Sequence, residues 1–595
     1  MSPIPADSPA SSLAANPLAA NPLAANPLAA GLLAALGRRI RAQTGLPVPS
    51  RPHRFVIAIA PGADPDAVED AFALYLGFAA TVAARESGVR AEPLFPGAEG
   101  ADPAYRLAHY RLVSLPLGGE PALAEADLFD AAYALRAATG ASRVDPDLPT
   151  SVVRPAPSEV AGVKEDYPPE DTEPAWSLRN MRVDRAWALT PPPGGQSRGR
   201  GAVIAHPDTG WAPHPDVDLG DYDLARDWNI LDWSGDAQDP LSPELEHLRF
   251  PGHGTATASV AVSLAPSGQT APLDQTPGGI AVWVARIRAW LAGLWAALRG
   301  LVSGGTGDGS FRLSGVDGGP SAGGPSAGGP SAGGVAPEAT LIPIRCTDTV
   351  IITSGVNLAR AIFYAAGQGA GVIMMSLGGL PTPWLEAAVA YAARARNCIV
   401  IGAAGQPLPL VIAPAAYPDC IAVAAANVHD RPWELSGRGP EVTVAAPGQD
   451  VWRATFDRHG GMRPLFRPGT GTSFSAANLG GVAALWLAYH GRDGLLARYQ
   501  GRASLQEVFT ALLRQTRRVP DSWSAWEQAH YGGGIVDAEA LLRAPLPDPA
   551  AVPTVLAAPW QPQTDYQMLR RMGHALEPAG ALPDPAAAER AMRVQ

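Results

Sequence analysis

The sequence holds only three cysteines, Cys346, Cys398 and Cys420, among its 595 residues. So odd and sparse a set excludes a disulfide framework, leaving room for one pair at most, and no Cys-x-x-Cys or Cys/His spacing offers a zinc site. Charge is scarce as well. Asp, Glu, Lys and Arg make up 17% of the chain, and their balance is acidic, at −11. With no cluster of basic side chains to follow a phosphate backbone, nucleic acid is not expected as a partner. The first 28 residues lack the basic start, apolar run and small-residue cleavage site of a secretory signal. That absence tips the expected location toward the cytoplasm or a membrane periphery, with export by another route left open.

Apolar residues are plentiful, at 47%, and 64 glycines with 61 prolines supply about a fifth of the chain. The first figure supports a sizeable core; the second promises long ordered loops and low-complexity spacers. At the usual domain size of about 150 residues, the length corresponds to three or four domains or one large domain with appendages.

Residues 1–51 form a low-complexity arm in which Asn-Pro-Leu-Ala-Ala repeats between 13 and 30. A proline every few residues breaks any helix ladder and leaves the arm extended. Over 52–153 the pattern predicts strands at 55–60, 105–115 and 142–153 and helices at 64–86 and 121–139, a small α/β sandwich. A Pro-rich acidic linker at 154–175 leads into a long alternation over 176–545. Strand-like runs are predicted at 202–205, 340–345, 371–377, 398–403, 420–426 and 441–446, and helices at 253–264, 353–367, 383–396 and 472–490. These strands are apolar throughout rather than alternating, so they read as buried on both faces: a doubly wound parallel α/β sheet. An insertion at 265–335 carries Gly-Gly-Pro-Ser-Ala three times, and a Pro/Ala-rich tail fills 546–595.

Within the insertion, the apolar run 280–302 includes Trp283, Trp290 and Trp295 but is interrupted by Arg286, Arg288 and Arg299. At 100° per residue Arg288 and Arg299 fall together while Arg286 points nearly opposite, so neither a clean span nor a clean amphipathic stripe results. The run reads either as a helix packed on protein or as one touching a membrane or a partner.

Three residues stand where an α/β sheet builds sites. Asp208 ends a strand in Val-Ile-Ala-His-Pro-Asp-Thr-Gly, which delivers its carboxylate to the carboxyl edge of the sheet; alone it could equally be an Asx turn. His253, in Gly-His-Gly-Thr-Ala, opens a helix among small neighbours that leave the imidazole room to turn; alone it would be an ordinary satisfied histidine. Ser473, in Gly-Thr-Gly-Thr-Ser-Phe-Ser-Ala-Ala, begins another helix, whose unpaired N–H groups can face a developing negative charge; alone it would be a helix cap.

Together, in the order Asp, His, Ser, they resemble the subtilisin-like serine proteases, whose chain order this is. The resemblance spans about 176–545 and rests on Asp-Thr-Gly at 208–210, His-Gly-Thr at 253–255 and Gly-Thr-Ser at 471–473, with Gly-Val-Ala-Pro-Glu-Ala at 334–339 and Met-Ser-Leu-Gly-Gly at 375–379. It implies that Ser473 is the nucleophile of an endopeptidase, His253 the proton carrier and Asp208 the partner that orients the imidazole. It further implies substrate contacts at Ser376, Leu377 and Gly378 and at Ala403, Ala404 and Gly405, with an oxyanion hole built from the Ser473 N–H and Gln406. The family carries Asn where this chain has Gln406, a second His where it has Ala256, a Pro where it has Ala477 and an Asn where it has Met374. These departures keep a second reading open, a weakly active or inactive peptide-binding scaffold of the same fold.

The resemblance extends to 52–153, which is similar to the inhibitory pro-domains of these enzymes, with a ferredoxin-like β-α-β-β-α-β order and its C-terminal segment laid into the cleft. The expected partners are therefore a polypeptide substrate and the chain's own N-terminal unit. No cofactor is implied. The aspartates between 216 and 239 lack EF-hand spacing and read as a solvated loop, where a calcium ion, if bound, would be structural. His206 reads as packing at a strand end.

Overall fold

A strand that is apolar at every position has no face to give to water, and six such runs in one chain can be buried only by pairing with each other under helices on both sides. The computed structural model describes residues 53–59, 90–101, 103–115, 125–139, 141–147, 173–241, 250–263, 333–457, 461–552, 560–561 and 563. The chain divides into two units near residue 148.

In the first unit, β1 (His53–Ala58), β2 (Arg90–Pro93), β3 (Tyr110–Leu115) and β4 (Arg143–Pro146) form an antiparallel sheet in the order β2-β3-β1-β4, with helix α1 (Glu125–Thr139) between the last two strands. This is the ferredoxin-like order expected. Phe55, Ile57, Leu94, Leu112 and Leu135 are its buried core. The strand expected over 105–115 is shorter because Arg106 takes a left-handed conformation, φ 55°, and residues 107–109 make a 3₁₀ turn before β3 begins. β2 is the strand that the expected β-α-β-β-α-β order requires and that the sequence reading does not locate. The helix expected at 64–86 and the end of the strand expected at 142–153 lie outside the described residues.

The second unit is built on seven parallel strands. They are β5 (Val203–Asp208), β6 (Trp228–Asn229), β7 (Thr340–Arg345), β8 (Val372–Met375), β9 (Ile399–Ala403), β10 (Ile421–Ala426) and β11 (Val442–Pro447), ordered β11-β10-β9-β8-β5-β7-β6. Every residue of β8, β9, β10 and β11 is buried. The order reverses direction beside β5, whose carboxyl end is where an open sheet leaves a crevice.

Helix α2 (His253–Val262) and helix α5 (Thr472–His490) pack on the sheet, with α3 (Val356–Gly367), α4 (Pro383–Ala390) and α6 (Leu505–Thr516) also in this unit. All residues of α5 from Thr472 to Ala488 are buried, which explains its lack of amphipathic pattern. The expected 383–396 helix ends its regular part at Ala390 and finishes in a wider π turn over Tyr391–Ala395.

Two further features were not anticipated. A hairpin of β12 (Val451–Asp457) and β13 (Arg463–Gly469) stands apart from the main sheet, and helix α6 carries a capping box in which Ser504 and Glu507 satisfy each other's backbone N–H. Of the expected insertion, residues 265–332, including the run 280–302, lie outside the described residues. The chain re-enters at Gly334, whose N–H donates to Ser263 O (2.7 Å), so the two ends of that segment are adjacent. The expected tail begins inside the unit: Tyr499 Oη donates to Pro547 O at 2.8 Å, and Val552 is buried in the core. Among the described residues, no helix is long and apolar enough to cross a membrane.

At the carboxyl end of α5, His490 lies edge-on to the rings of Trp486 (5.6 Å) and Tyr489 (5.0 Å), and its Nε2 is buried without a hydrogen bond. Burial pushes the imidazole down from 6.5 to about 4, because an imidazolium there would lose its hydration. The unfolded chain therefore takes up this proton first as the solution is acidified, and the stability associated with a neutral His490 is lost as pH falls from about 6.5 toward 4. Thermal midpoints measured across this window should decline less steeply in His490→Phe than in the natural sequence; parallel declines would show that His490 is not a source of the acid lability.

Candidate active site

The geometry begins with a carboxylate that has no water. Asp208, the last residue of β5, is 0% exposed. Its Oδ1 accepts the N–H of Thr209 at 2.7 Å and Nδ1 of His253 at 2.8 Å. Burial alone would raise the carboxyl, but the imidazoles of His253 and His206 beside it overcome this and hold the group well below the usual carboxylate range. A carboxylate can only accept, so His253 Nδ1 carries a proton, and in the neutral ring Nε2 is the acceptor.

Two glycines let the motif loops come this close. A side chain on Gly210, where φ is +102°, would strike Ala237 O, and one on Gly254 would lie 2.0 Å from Gly210 O. The Asp-Thr-Gly turn and the first turn of α2 therefore touch backbone to backbone. Thr209 stitches them, its Oγ1 accepting the N–H of Gly254 at 3.1 Å and its hydroxyl donating to Asp239. Asp239 in turn accepts the N–H of Gly252, the residue before His253, at 2.8 Å. Sequence reading had placed Asp239 among the solvated loop aspartates; it is buried instead, and burial raises its carboxyl despite these donors. Its role was not visible because nothing in one sequence pairs residue 239 with residues 209 and 252.

Five other aspartates of that loop spend oxygens locally: Asp218 on Gly220 N, Asp223 on Arg226, Asp227 on Ala237 N, Asp232 on Ser234 N and Asp236 on Gln238 N. Among the described residues no three His, Cys, Asp or Glu side chains converge as metal ligands do.

Ser473 is the second residue of α5 and 7% exposed. Its hydroxyl donates to Ser376 O at 2.8 Å, and Ser376 Oγ returns a bond to Ser473 O at 2.9 Å. Asp208 and His253 are thus brought into contact, while the Ser473 hydroxyl bonds to the Ser376 carbonyl and not to His253. A serine hydroxyl is a single rotor, and changing χ1 from one staggered well to another re-aims it without moving the backbone.

The helix start also settles where the free N–H groups are. Thr472 N–H donates to Gln406 Oε1 at 3.1 Å, and Phe474 N–H to Gly471 O at 3.0 Å. The N–H of Ser473 between them has no acceptor, as its place in the first turn requires. A backbone N–H can only donate, so the Gln406 atom that meets Thr472 is the oxygen, and the amide nitrogen faces the other way. That Nε2 lies 3.1 Å from where a Cβ on Gly471 would sit, a point itself 3.9 Å from Ser473 Oγ. The Ser473 N is 3.8 Å from that same point, so both nitrogens lie at the Gly471 end of the helix.

The remaining expected contact residues line strand ends. Ala403 closes β9, and Ala404 and Gly405 continue it, the Gly405 N–H donating to Thr472 Oγ1 at 3.1 Å. In the run from Ser376 to Gly379, the N–H of Gly378 is taken by Val350 O (3.1 Å) and that of Gly379 by Ala413 O (2.7 Å). Of the departures, Ala256 and Ala477 are buried in helix packing, and Met374 is buried in β8, where its sulfur lies 2.6 Å from the point a Cβ on Gly480 would occupy. None of the three brings a polar atom to the site.

Against known proteins, the sequence model of the subtilase family matches residues 199–517. Two curated relatives are a thermophilic serine proteinase of Bacillus sp. (strain AK1), 35% identical over 166 residues, and thermitase of Thermoactinomyces vulgaris, 36% identical over 161 residues. These alignments cover 28% and 27% of this chain, and 39% and 54% of the relatives' lengths. Among solved structures, a protease of Pseudoalteromonas arctica PAMC 21717 is matched over 62% of this chain and 96% of its own, with 19% identity and a TM-score of 0.41.

Proposed function

Because the chain belongs to the subtilase family, we propose that it is a serine endopeptidase that cleaves polypeptides through an acyl-enzyme on Ser473. The observation that carries the reading is the protonated Nδ1 of His253 held on a buried, ionised Asp208, which leaves Nε2 free to accept a proton. In this reading Ser473 Oγ leaves Ser376 O, turns toward Nε2 and attacks the scissile carbonyl as His253 takes its proton. Asp208 keeps the imidazole in the productive tautomer and stabilises the imidazolium, which then protonates the leaving amine. Water enters by the same base catalysis and releases the acyl group.

The oxyanion would be met by the Ser473 N–H and by Gln406 Nε2. Loss of one such donor costs about 2.7–4 kcal/mol, a magnitude measured on a subtilisin. Gln406 is one methylene longer than the family's Asn, and its oxygen is tied to Thr472, so its nitrogen is aimed by that bond and not by its own length. Substrate would lie along Ser376–Gly378 on one side and Ala403–Gly405 on the other. The first unit would act as a pro-domain, placing its C-terminal segment in the same cleft by strand pairing.

A fluorophosphonate probe tests the chemistry: the protein freed of its first unit should label, and Ser473→Ala should not. A folded protein that never labels would instead favour the peptide-binding scaffold. Gln406→Asn should turn over substrate faster if side-chain reach limits the oxyanion contact, whereas an unchanged or lower kcat would place the Gln406 amide already in position. Residues 52–153 added in trans should inhibit the separated second unit at micromolar concentration, and full activity in their presence would remove the pro-domain role.

A further inference from the structure

Strand β5 presents His206 and Asp208, two residues apart, on one face of the sheet, and α2 presents His253 and Thr257, one turn apart, toward it. The result is two rungs: His253 Nδ1 to Asp208 Oδ1 at 2.8 Å and His206 Nε2 to Thr257 Oγ1 at 3.0 Å. Thr257 Oγ1 has backbone acceptors in His253 O at 3.0 Å and Gly254 O at 3.2 Å. Its hydrogen is used there, so it receives the N–H of His206, and the imidazole is protonated at Nε2. That same nitrogen lies 3.4 Å from Asp208 Oδ2.

The contact is long, and by strict geometry Oδ2 is a buried oxygen without a hydrogen bond. The Nε2–H of His206 is directed to Thr257, and Oδ2 lies beside that nitrogen at the distance of an electrostatic contact. Oδ1 has two donors, Oδ2 has none, and both His206 and Asp208 are shut off from water, at 2% and 0% exposed. The ring nitrogen of His206 is the polar group in contact with that oxygen.

We propose, on the reading that this is a serine protease, that His206 is a positioning residue for the reaction: a second imidazole on Asp208, oriented by Thr257, that holds Oδ2 while His253 holds Oδ1. The ionisable groups around it are Asp208 on its own strand, His253 on α2 and, from β7's end, Cys346, which is within electrostatic range of Asp208 together with Arg345. Without His206, more of the carboxylate's charge would fall on His253, and its imidazolium would persist to higher pH.

The test compares His206→Val, which removes the donor, with His206→Gln, whose Nε2 reaches the same place, in the protein otherwise unaltered. His206→Val should lower kcat about 10- to 100-fold, the scale of a hydrogen bond to a charged group, with KM within about twofold and the acid limb of kcat/KM moved to higher pH. His206→Gln should recover most of both effects. A Val variant with wild-type kcat and an unmoved limb, or one that loses only thermal stability, overturns the proposal, as does a Gln variant no better than Val. Should the Val variant fail to fold, Thr257→Val, which frees the imidazole from its anchor, must show the same shift of the limb or the idea falls. Absence of turnover and labelling in the natural sequence would sink the protease reading itself, a result distinct from an active enzyme indifferent to residue 206.

Discussion

A carboxylate withdrawn from water is stable only where donors replace its hydration, and Asp208 sets that condition for the whole carboxyl edge of the sheet. Its oxygens fix the amide of Thr209, the ring of His253 and hence the entry angle of α2. Meeting these demands requires two loops to touch at backbone distance, which only glycine at 210 and 254 permits. Asp239, itself buried, then holds both loops from outside through Thr209 and Gly252. The site is thus a consequence of satisfying one buried charge, with the chemistry of His253 following from the tautomer that charge imposes.

The serine half of the site is governed by helix geometry instead of charge. Three consecutive N–H groups begin α5, and two have partners, Gln406 Oε1 and Gly471 O. The middle one belongs to Ser473, so its hydroxyl and its unpaired N–H stand together at the positive end of the helix. The hydroxyl rests on Ser376 O, which costs little to leave because a protein hydrogen bond is worth only about 0.5–1.5 kcal/mol net. The two halves are therefore shaped by separate constraints, one of buried charge and one of helix geometry.

Much of this could be read from the chain before any coordinates. Strands β7, β9 and β10 fall at or within a residue of the expected runs, since each has a continuous apolar centre with no polar face to turn to water. Asp208 and Ser473 stood out because glycine and small residues surround them at a strand end and a helix start. What escaped was of two kinds. Hairpin β12–β13 mixes Trp452, Arg453 and Phe466 with no clean period, since it is only partly covered. Contacts such as Thr209 with Asp239, or His206 with Thr257, depend on which helix crosses which strand, and spacing along one sequence does not contain that.

His206 illustrates the second kind most sharply. As a residue it reads as filler at a strand end, yet a buried imidazole with no partner would cost more than the packing it provides, and a buried Oδ2 with no partner would cost as much again. Their 3.4 Å contact offsets part of both penalties, and Thr257 fixes the tautomer by accepting the hydrogen bond from the His206 Nε2–H. Apolar side chains at both 206 and 257 would pack well and leave Oδ2 bare; a polar residue at only one of them would leave an orphan. The three polar groups are therefore mutually necessary in this core, and their joint satisfaction is a structural requirement before it is a catalytic one.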